Sequence, residues 1–229
     1  MKIKTRLNRD SIEKYTKAGY WINKTLGEYF DEAVKKCPDK EAAVDGDRRV
    51  TYRQLGMMVE RMALGLLELG IKKGDVVSFQ LPNWLETIVI HHAVSKINAV
   101  TNPILPIYRT AEVKYILEHA GSRLLIIPQR FRKRDYVSMV EELRTGLPNL
   151  KDVLVIGGKE LPQGMSSFET FMGTPWEDRR NPESLSEIKP DPNDVMLIMF
   201  TSGTEAEPKG VLHTYNTLNR ECRSAIDAW

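Results

Sequence analysis

The chain has 229 residues, 41% of them hydrophobic, enough to bury one sizeable core or two small ones. Lys and Arg number 33 and Asp and Glu 31, a net charge of +2 that excludes a dedicated nucleic-acid surface but not a small anion held by one or two local cations. Cys37 and Cys222 stand in no CxxC or Cys/His ligand spacing and read as free thiols in a reducing compartment.

Met1 to Arg6 carry charge with no apolar stretch behind them, so no secretory signal is read there. Thr25-Leu26-Gly27-Glu28 has the spacing of a capping box, and the helix it opens turns Leu26, Tyr29, Phe30 and Val34 inward. Glu41–Val44, the turn Asp45-Gly46-Asp47 and Arg48–Thr51 read as a hairpin. Thr51-Tyr52-Arg53-Gln54 is a second capping box. Its helix carries Leu55, Met58, Val59, Met62, Leu66 and Leu69 at three- and four-residue steps and stops at Gly70. Then follow a strand over Asp75–Leu81, a helix over Trp84–Ile97, a short strand at Ala99–Thr101 and a helix over Glu112–His119. The strand Arg123–Ile127, the helix Tyr136–Arg144 and the strand Asp152–Ile156 continue the pattern.

This alternation predicts an α/β fold with a mainly parallel sheet and helices on both faces. Residues 1–156 are expected to form an α/β N-terminal subdomain. Residues 157–193, rich in Gly, Pro, Ser and charge, are expected as an irregular connection. Residues 194–229 then open a further subdomain with the buried strand Val195–Phe200, which is far too short to cross a bilayer. A soluble, cytoplasmic protein is expected. Thr217–Trp229 has helical composition, with Leu218, Cys222, Ala225 and Trp229 on one stripe. It lacks a Gly, Asn or Pro stop, so the chain is expected to be a fragment whose uncovered apolar surface favours self-association, leaving a homo-oligomer open.

The chemistry gathers behind the strand Val195–Phe200. Thr201-Ser202-Gly203-Thr204 are four small residues, three with hydroxyls, followed at a fixed offset by Pro208-Lys209-Gly210. Small residues let the backbone turn its N–H groups into one concavity, hydroxyls add donors, and Lys209 adds a mobile charge. Such a nest suits a phosphate. A solvated surface turn explains Thr-Ser-Gly-Thr alone, but not the added Pro-Lys-Gly. The loop is not a Walker A loop, because Lys209 is followed by Gly210 and Val211 rather than Ser or Thr.

Phe200-Thr201-Ser202-Gly203-Thr204 with Pro208-Lys209-Gly210-Val211 resembles the signature loop of the AMP-binding, adenylate-forming superfamily, which includes acyl-CoA synthetases, peptide-synthetase adenylation domains and luciferases. Val50-Thr51-Tyr52-Arg53-Gln54-Leu55, Gly74-Asp75-Val76-Val77 and Leu81-Pro82-Asn83 resemble earlier family segments. Asn102 to Arg109 and Phe131 to Tyr136 are most similar to the cyclohexanecarboxylate–CoA ligase-like branch. The resemblance implies part of the large N-terminal domain of an acyl-CoA synthetase-like fold, and a ligase that uses ATP, Mg²⁺ and CoA to activate a carboxylic acid. It also implies that Thr201, Ser202, Gly203, Thr204, Glu205, Ala206, Pro208, Lys209 and Gly210 handle the β- and γ-phosphates, with Lys209 catalytic and the Thr201 hydroxyl near Mg²⁺.

Three departures stand out. Glu205 and Ala206 replace the family's usual Thr or Ser and Gly. Where the family often has Ser/Thr-His-x-Asn, Asn216 follows Tyr215 directly, so no role for that histidine carries over. The family's later motifs, Tyr-Gly-x-Thr-Glu, Thr-Gly-Asp and the C-terminal lysine, do not occur here. A non-catalytic binding or assembly module with a vestigial loop and a P-loop-type ATPase or kinase stay as alternatives. His91-His92 read as plain helix positions, His119 and His213 as structural, and Trp84, Trp176 and Trp229 as packing. The basic run Gln129–Arg134 reads as a solvated loop before it reads as a surface for a CoA phosphate.

Overall fold

The computed structural model describes residues 5–201 and 208–228. Helix α1 (Arg9–Lys17) opens on Asn8, whose side chain accepts the Ser11 amide. Both threonine capping boxes form. Thr25 starts α2 (Leu26–Lys36), its hydroxyl accepting the Glu28 amide while the Thr25 N–H donates to the Glu28 carboxylate. The hairpin β1 (Glu41–Asp45) and β2 (Arg48–Thr51) follows, and Thr51 with Gln54 opens α3 (Tyr52–Glu68) in the same way. Each cap satisfies amides that a first helical turn leaves without partners, worth about 1 kcal/mol. Gly70, just past the α3 C-cap, has φ 74°, which a side chain would penalise. Of the α2 residues expected inward, Phe30 is fully buried and Leu26, Tyr29 and Val34 are half-buried.

The chain then alternates as expected through β3 (Val76–Phe79), α4 (Leu85–Lys96), β4 (Val100–Pro103), α5 (Thr110–Ala120) and β5 (Ser122–Pro128). A short ribbon, β6 (Arg130–Phe131) and β7 (Arg134–Asp135), precedes α6 (Tyr136–Arg144) and β8 (Asp152–Ile156). After β9 (Ser166–Ser167), α7 (Phe168–Gly173) and α8 (Ser184–Glu187) come β10 (Val195–Thr201), β11 (Lys209–Thr214) and α9 (Tyr215–Asp227). Among the described residues, seven strands form one sheet in the order β11-β10-β4-β3-β5-β8-β9, parallel except for the β10–β11 hairpin.

Strand β5 shows why uniformly apolar runs belong here. Leu124 and Ile126 join the core formed with α3 and α4, while Leu125 and Ile127 join the core formed with α5 and α6. Both faces are covered, so alternation would bury polar groups. No helix among the described residues is long and apolar enough to cross a membrane.

The 157–193 stretch is more ordered than an irregular connection. It carries β9, α7, a 3₁₀ turn at Trp176–Asp178 and α8. β9 extends the sheet beside β8, and Phe171 and Trp176 dock on α3 at Gly65, where a Cβ would stand 2.5 Å from Phe171 Cζ and 2.6 Å from Trp176 Nε1. The ion pairs Arg61–Glu177 and Arg180–Glu68 border this contact. The apolar stripe expected along the last helix is also corrected. Leu218 is half-buried but Cys222 and Ala225 are exposed, because the covering layer ends after the first turns of α9. Trp229 lies outside the described residues.

Candidate phosphate-binding hairpin

Strand β10 enters the sheet buried and leaves it exposed. Met196, Leu197 and Ile198 are in the core, but Met199 is 46% exposed, so the expectation of burial through to Phe200 holds only for the strand's first half. β11 returns antiparallel with Thr201 opposite Lys209, Phe200 opposite Gly210 and Met199 opposite Val211. The open end of the hairpin therefore presents Thr201 and Lys209 side by side, and both are exposed. Thr201 Oγ1 donates to the Lys209 carbonyl at 3.4 Å, which leaves its lone pairs free. The Lys209 ammonium makes no ion pair among the described residues.

Two further residues shape this end. Gly210 lies close under its neighbours: a Cβ there would be 3.2 Å from Ile198 Cγ2 and 3.3 Å from Phe200 Cζ, so a side chain would push on Phe200. Phe200 sits edge-on to His119 at 6.0 Å, and His119 stacks on Tyr115 at 5.4 Å. His119 thus has the structural place read for it, as a shelf under the strand that carries Thr201. Pro208 is half-buried at the start of the return strand. Ser202, Gly203, Thr204, Glu205 and Ala206 lie outside the described residues.

Behind the tip, β10 is tied to its neighbour by a side chain. Thr101 Oγ1 donates to the Met196 carbonyl at 3.1 Å and lies 3.0 Å from His91 Nδ1. With the hydroxyl hydrogen given to Met196, the proton of that second bond comes from His91 Nδ1. His91 therefore ties α4 to the sheet while His92 stacks on Phe30 of α2, and burial pushes both imidazoles down to about 4. Tyr215 is fully buried. Its hydroxyl donates to the Ser95 carbonyl at 3.1 Å, and burial raises it to about 12. Tyr215, in the Ser/Thr-His-x-Asn-like segment, is thus a core anchor. No local pattern could have shown the Thr101 and Tyr215 contacts, because their partners are distant in sequence.

The basic run divides into two kinds of cation. Arg130, Arg132 and Lys133 are exposed, and Arg130 pairs with Asp135 at 3.3 Å. Arg134 turns inward and donates to the Tyr108 and Pro106 carbonyls; burial, then the neighbouring Arg109, lowers its pKa. Trp84 meets Phe131 edge-on at 5.7 Å, and Trp84 and Trp176 border the α3–α4 core as packing residues. A cavity of about 640 Å³ lies between α2, the end of α4 and residues 182–192, and none of its lining residues belongs to the hairpin. Among the described residues no group of three or more His, Cys, Asp or Glu converges as a metal centre.

Comparison with known proteins places this geometry. The family model described as AMP-binding enzyme matches residues 30–229. The chain is 32% identical over 219 residues to the medium-chain fatty-acid–CoA ligase of Escherichia coli (strain K12), covering 95% of this chain and 38% of that protein. It is 30% identical over 205 residues to the 2,3-dihydroxybenzoate-AMP ligase of Bacillus subtilis (strain 168), covering 89% of this chain and 36% of that one. Among solved structures, the apo structure of Mycobacterium smegmatis MbtA superposes with a TM-score of 0.81 at 28% identity, covering 97% of this chain and 40% of that one. The chain spans less than two-fifths of the length of these two ligases. It belongs to the AMP-binding enzyme family.

Proposed function

We propose that this member of the AMP-binding enzyme family is part of an ATP-dependent acid–CoA ligase, and that its β10–β11 hairpin handles the phosphates of ATP. The observation that carries the reading is the pairing of Thr201 with Lys209 at the exposed hairpin end, with Ser202-Gly203-Thr204-Glu205-Ala206 between them. In such a ligase a carboxylate oxygen attacks the α-phosphorus of ATP, the bond to the β-phosphate oxygen breaks, and pyrophosphate leaves. The thiolate of CoA then attacks the acyl carbon and AMP leaves.

This chain's contribution is to the leaving group. Lys209 neutralises developing charge on pyrophosphate, and the hydroxyls and amides of Thr201, Ser202, Gly203 and Thr204 orient its oxygens. Glu205, Ala206, Pro208 and Gly210 contribute backbone and shape. Mg²⁺ takes oxygen ligands and keeps much of its shell as water and phosphate, so a single hydroxyl with free lone pairs fits it, and Thr201 Oγ1 is the candidate. Bound there, the ion would supply charge neutralisation at the triphosphate. In this reading residues 1–156 form the α/β subdomain and 157–193 join it to the nucleotide-binding part that begins at 194. The free thiols Cys37 and Cys222 accord with a cytoplasmic location.

The test is acid-dependent ATP–pyrophosphate exchange by the full protein, with aliphatic, alicyclic and aromatic acids. Exchange that requires an acid is expected. ATP turnover indifferent to every acid would favour an ATPase or kinase, and no turnover with no ATP binding would favour a vestigial loop.

A further inference from the structure

Residues 20–26 precede the stretch matched by the family model, 30–229, yet they wrap around both roots of the β10–β11 hairpin. Leu26 packs with Leu218 against the buried trio Met196, Leu197 and Tyr215, at the start of β10 and of α9. Asn23 and Asn216 form a reciprocal pair: the Asn23 N–H donates to Asn216 Oδ1 at 3.1 Å, and Asn216 Nδ2 donates to Asn23 Oδ1 at 2.8 Å. Asn216 is 1% exposed, and its Nδ2 also donates to Asn193 Oδ1 at 3.1 Å, just before β10. Asn219 Nδ2 donates to the Lys24 carbonyl at 2.6 Å, and Arg220 lies 4.8 Å over the Tyr20 ring. Asn216, Asn219 and Arg220 thus share one helical face, and the N-terminal segment lies along it.

Two features make this more than general packing. Asn23 has φ 54°, a left-handed conformation that asparagine tolerates better than most side chains and that its bonds to Asn216 hold in place. And β10 meets the rest of the sheet through a single register pair, Leu197 with Thr101, whereas β3 and β4 share four and β5 and β8 share five. The ladder between β10 and β4 is short, and the Thr101 bond, the packing of Ile198 on Val76 and Val100, and the root contacts with residues 20–26 complete the hold on the hairpin.

We propose that Tyr20–Leu26 is a strap that positions the phosphate hairpin, with Asn23 and Asn216 as its positioning residues. This rests on reading β10–β11 as the phosphate site. Tightening the roots of β10 and β11 keeps Thr201 and Lys209 in register, and small misplacements of groups that hold a reacting phosphate are costly.

Two variants of the full protein test it. Asn23→Gly tolerates the positive φ and removes only the amide side chain, and Asn216→Ala removes both sides of the pair. Hydrogen–deuterium exchange is followed along the sheet, with melting temperature and separate KM values for ATP and acid. Expected are amides of 197–201 and 209–213 that exchange about tenfold faster while β3, β5 and β8 are unchanged. KM for ATP should rise about tenfold with KM for the acid unmoved. Unchanged hairpin exchange in both variants overturns the strap, as does uniform acceleration across the sheet, the mark of plain destabilisation. If the unaltered protein shows no acid-dependent exchange, the ligase reading falls, and the hydrogen-exchange comparison still decides the strap.

Discussion

Lys209 stands exposed at the head of a strand, where a charge can act on a ligand without carrying any of the core. Lys209→Ala is therefore expected to leave melting nearly unchanged while lowering acid-dependent ATP–pyrophosphate exchange about 10- to 100-fold, the range of a lost charge-assisted hydrogen bond of about 1.5–3 kcal/mol. Full exchange in the variant would remove this lysine from the reaction. Glu205 gives a subtler case. A carboxylate about 5 Å from a phosphate charge costs about 3 kcal/mol at an effective dielectric of 20, so a working site turns it away. Glu205→Thr should then shift ATP affinity by less than about 1 kcal/mol in a calorimetric titration. A gain of several kcal/mol would mean that the carboxylate sits against the phosphates as a brake. These residues are legible because small, hydroxyl-bearing positions behind an apolar strand are a local pattern. The residues that support them are not. Thr101 reaches a carbonyl 95 positions away and Asn216 pairs with a residue 193 positions away, and no spacing rule spans such intervals.

Elements long enough to repeat an apolar step several times were readable, and shorter ones were not. α3 shows its buried face over 17 residues and two capping boxes announce their helices, whereas β9 has two residues and α7 six. That is why 157–193 reads as loose composition although it docks tightly. The tightness is testable at Gly65, where only a hydrogen fits between α3 and the rings of Phe171 and Trp176. Trp176 cannot simply swing away, because its Nε1 donates to the Phe171 carbonyl at 2.8 Å. Gly65→Ala, although a better helix former, should cost about 1–3 kcal/mol through overpacking, measured by chemical denaturation. Stabilisation by the alanine would show that residues 168–178 sit loosely on α3. The alternation of strands and helices gave the parallel sheet, and the short ladder between β4 and β10 stayed hidden because register between distant strands leaves no local trace.

For the whole molecule, the two adjacent histidines of α4 set how the fold meets acid. His91 is bonded to Thr101 behind the sheet, and His92 stacks on Phe30 of α2 with ring centroids 4.3 Å apart. Burial pushes both down to about 4; for His92 the adjacent His91 adds to this, Asp31 opposes it and Lys96 adds a little more. In the unfolded chain each titrates near its ordinary value of about 6.5, so between about 6.5 and 4 the unfolded state binds more protons. Stability is then complete above about 6.5 and is lost as pH falls toward 4. From pH 7 to 5 the loss is up to about 2 kcal/mol per ring, less where ring edges touch water. The carboxylates of Asp45, Glu177 and Asp194 lie below their ordinary values, so their contribution is lost only as pH falls below about 5, which leaves the interval from pH 7 to 5 to the imidazoles. His92→Phe separates the contributions. It keeps the stack on Phe30 and removes an Nδ1 that is buried without a partner, so stability at pH 7 should hold or rise. Denaturation curves at pH 7 and 5 should show about half the slope of the unaltered protein. An identical pH dependence in both would mean that the imidazole of His92 is not held neutral by the fold, and that acid acts on this molecule through His91 and its carboxylates.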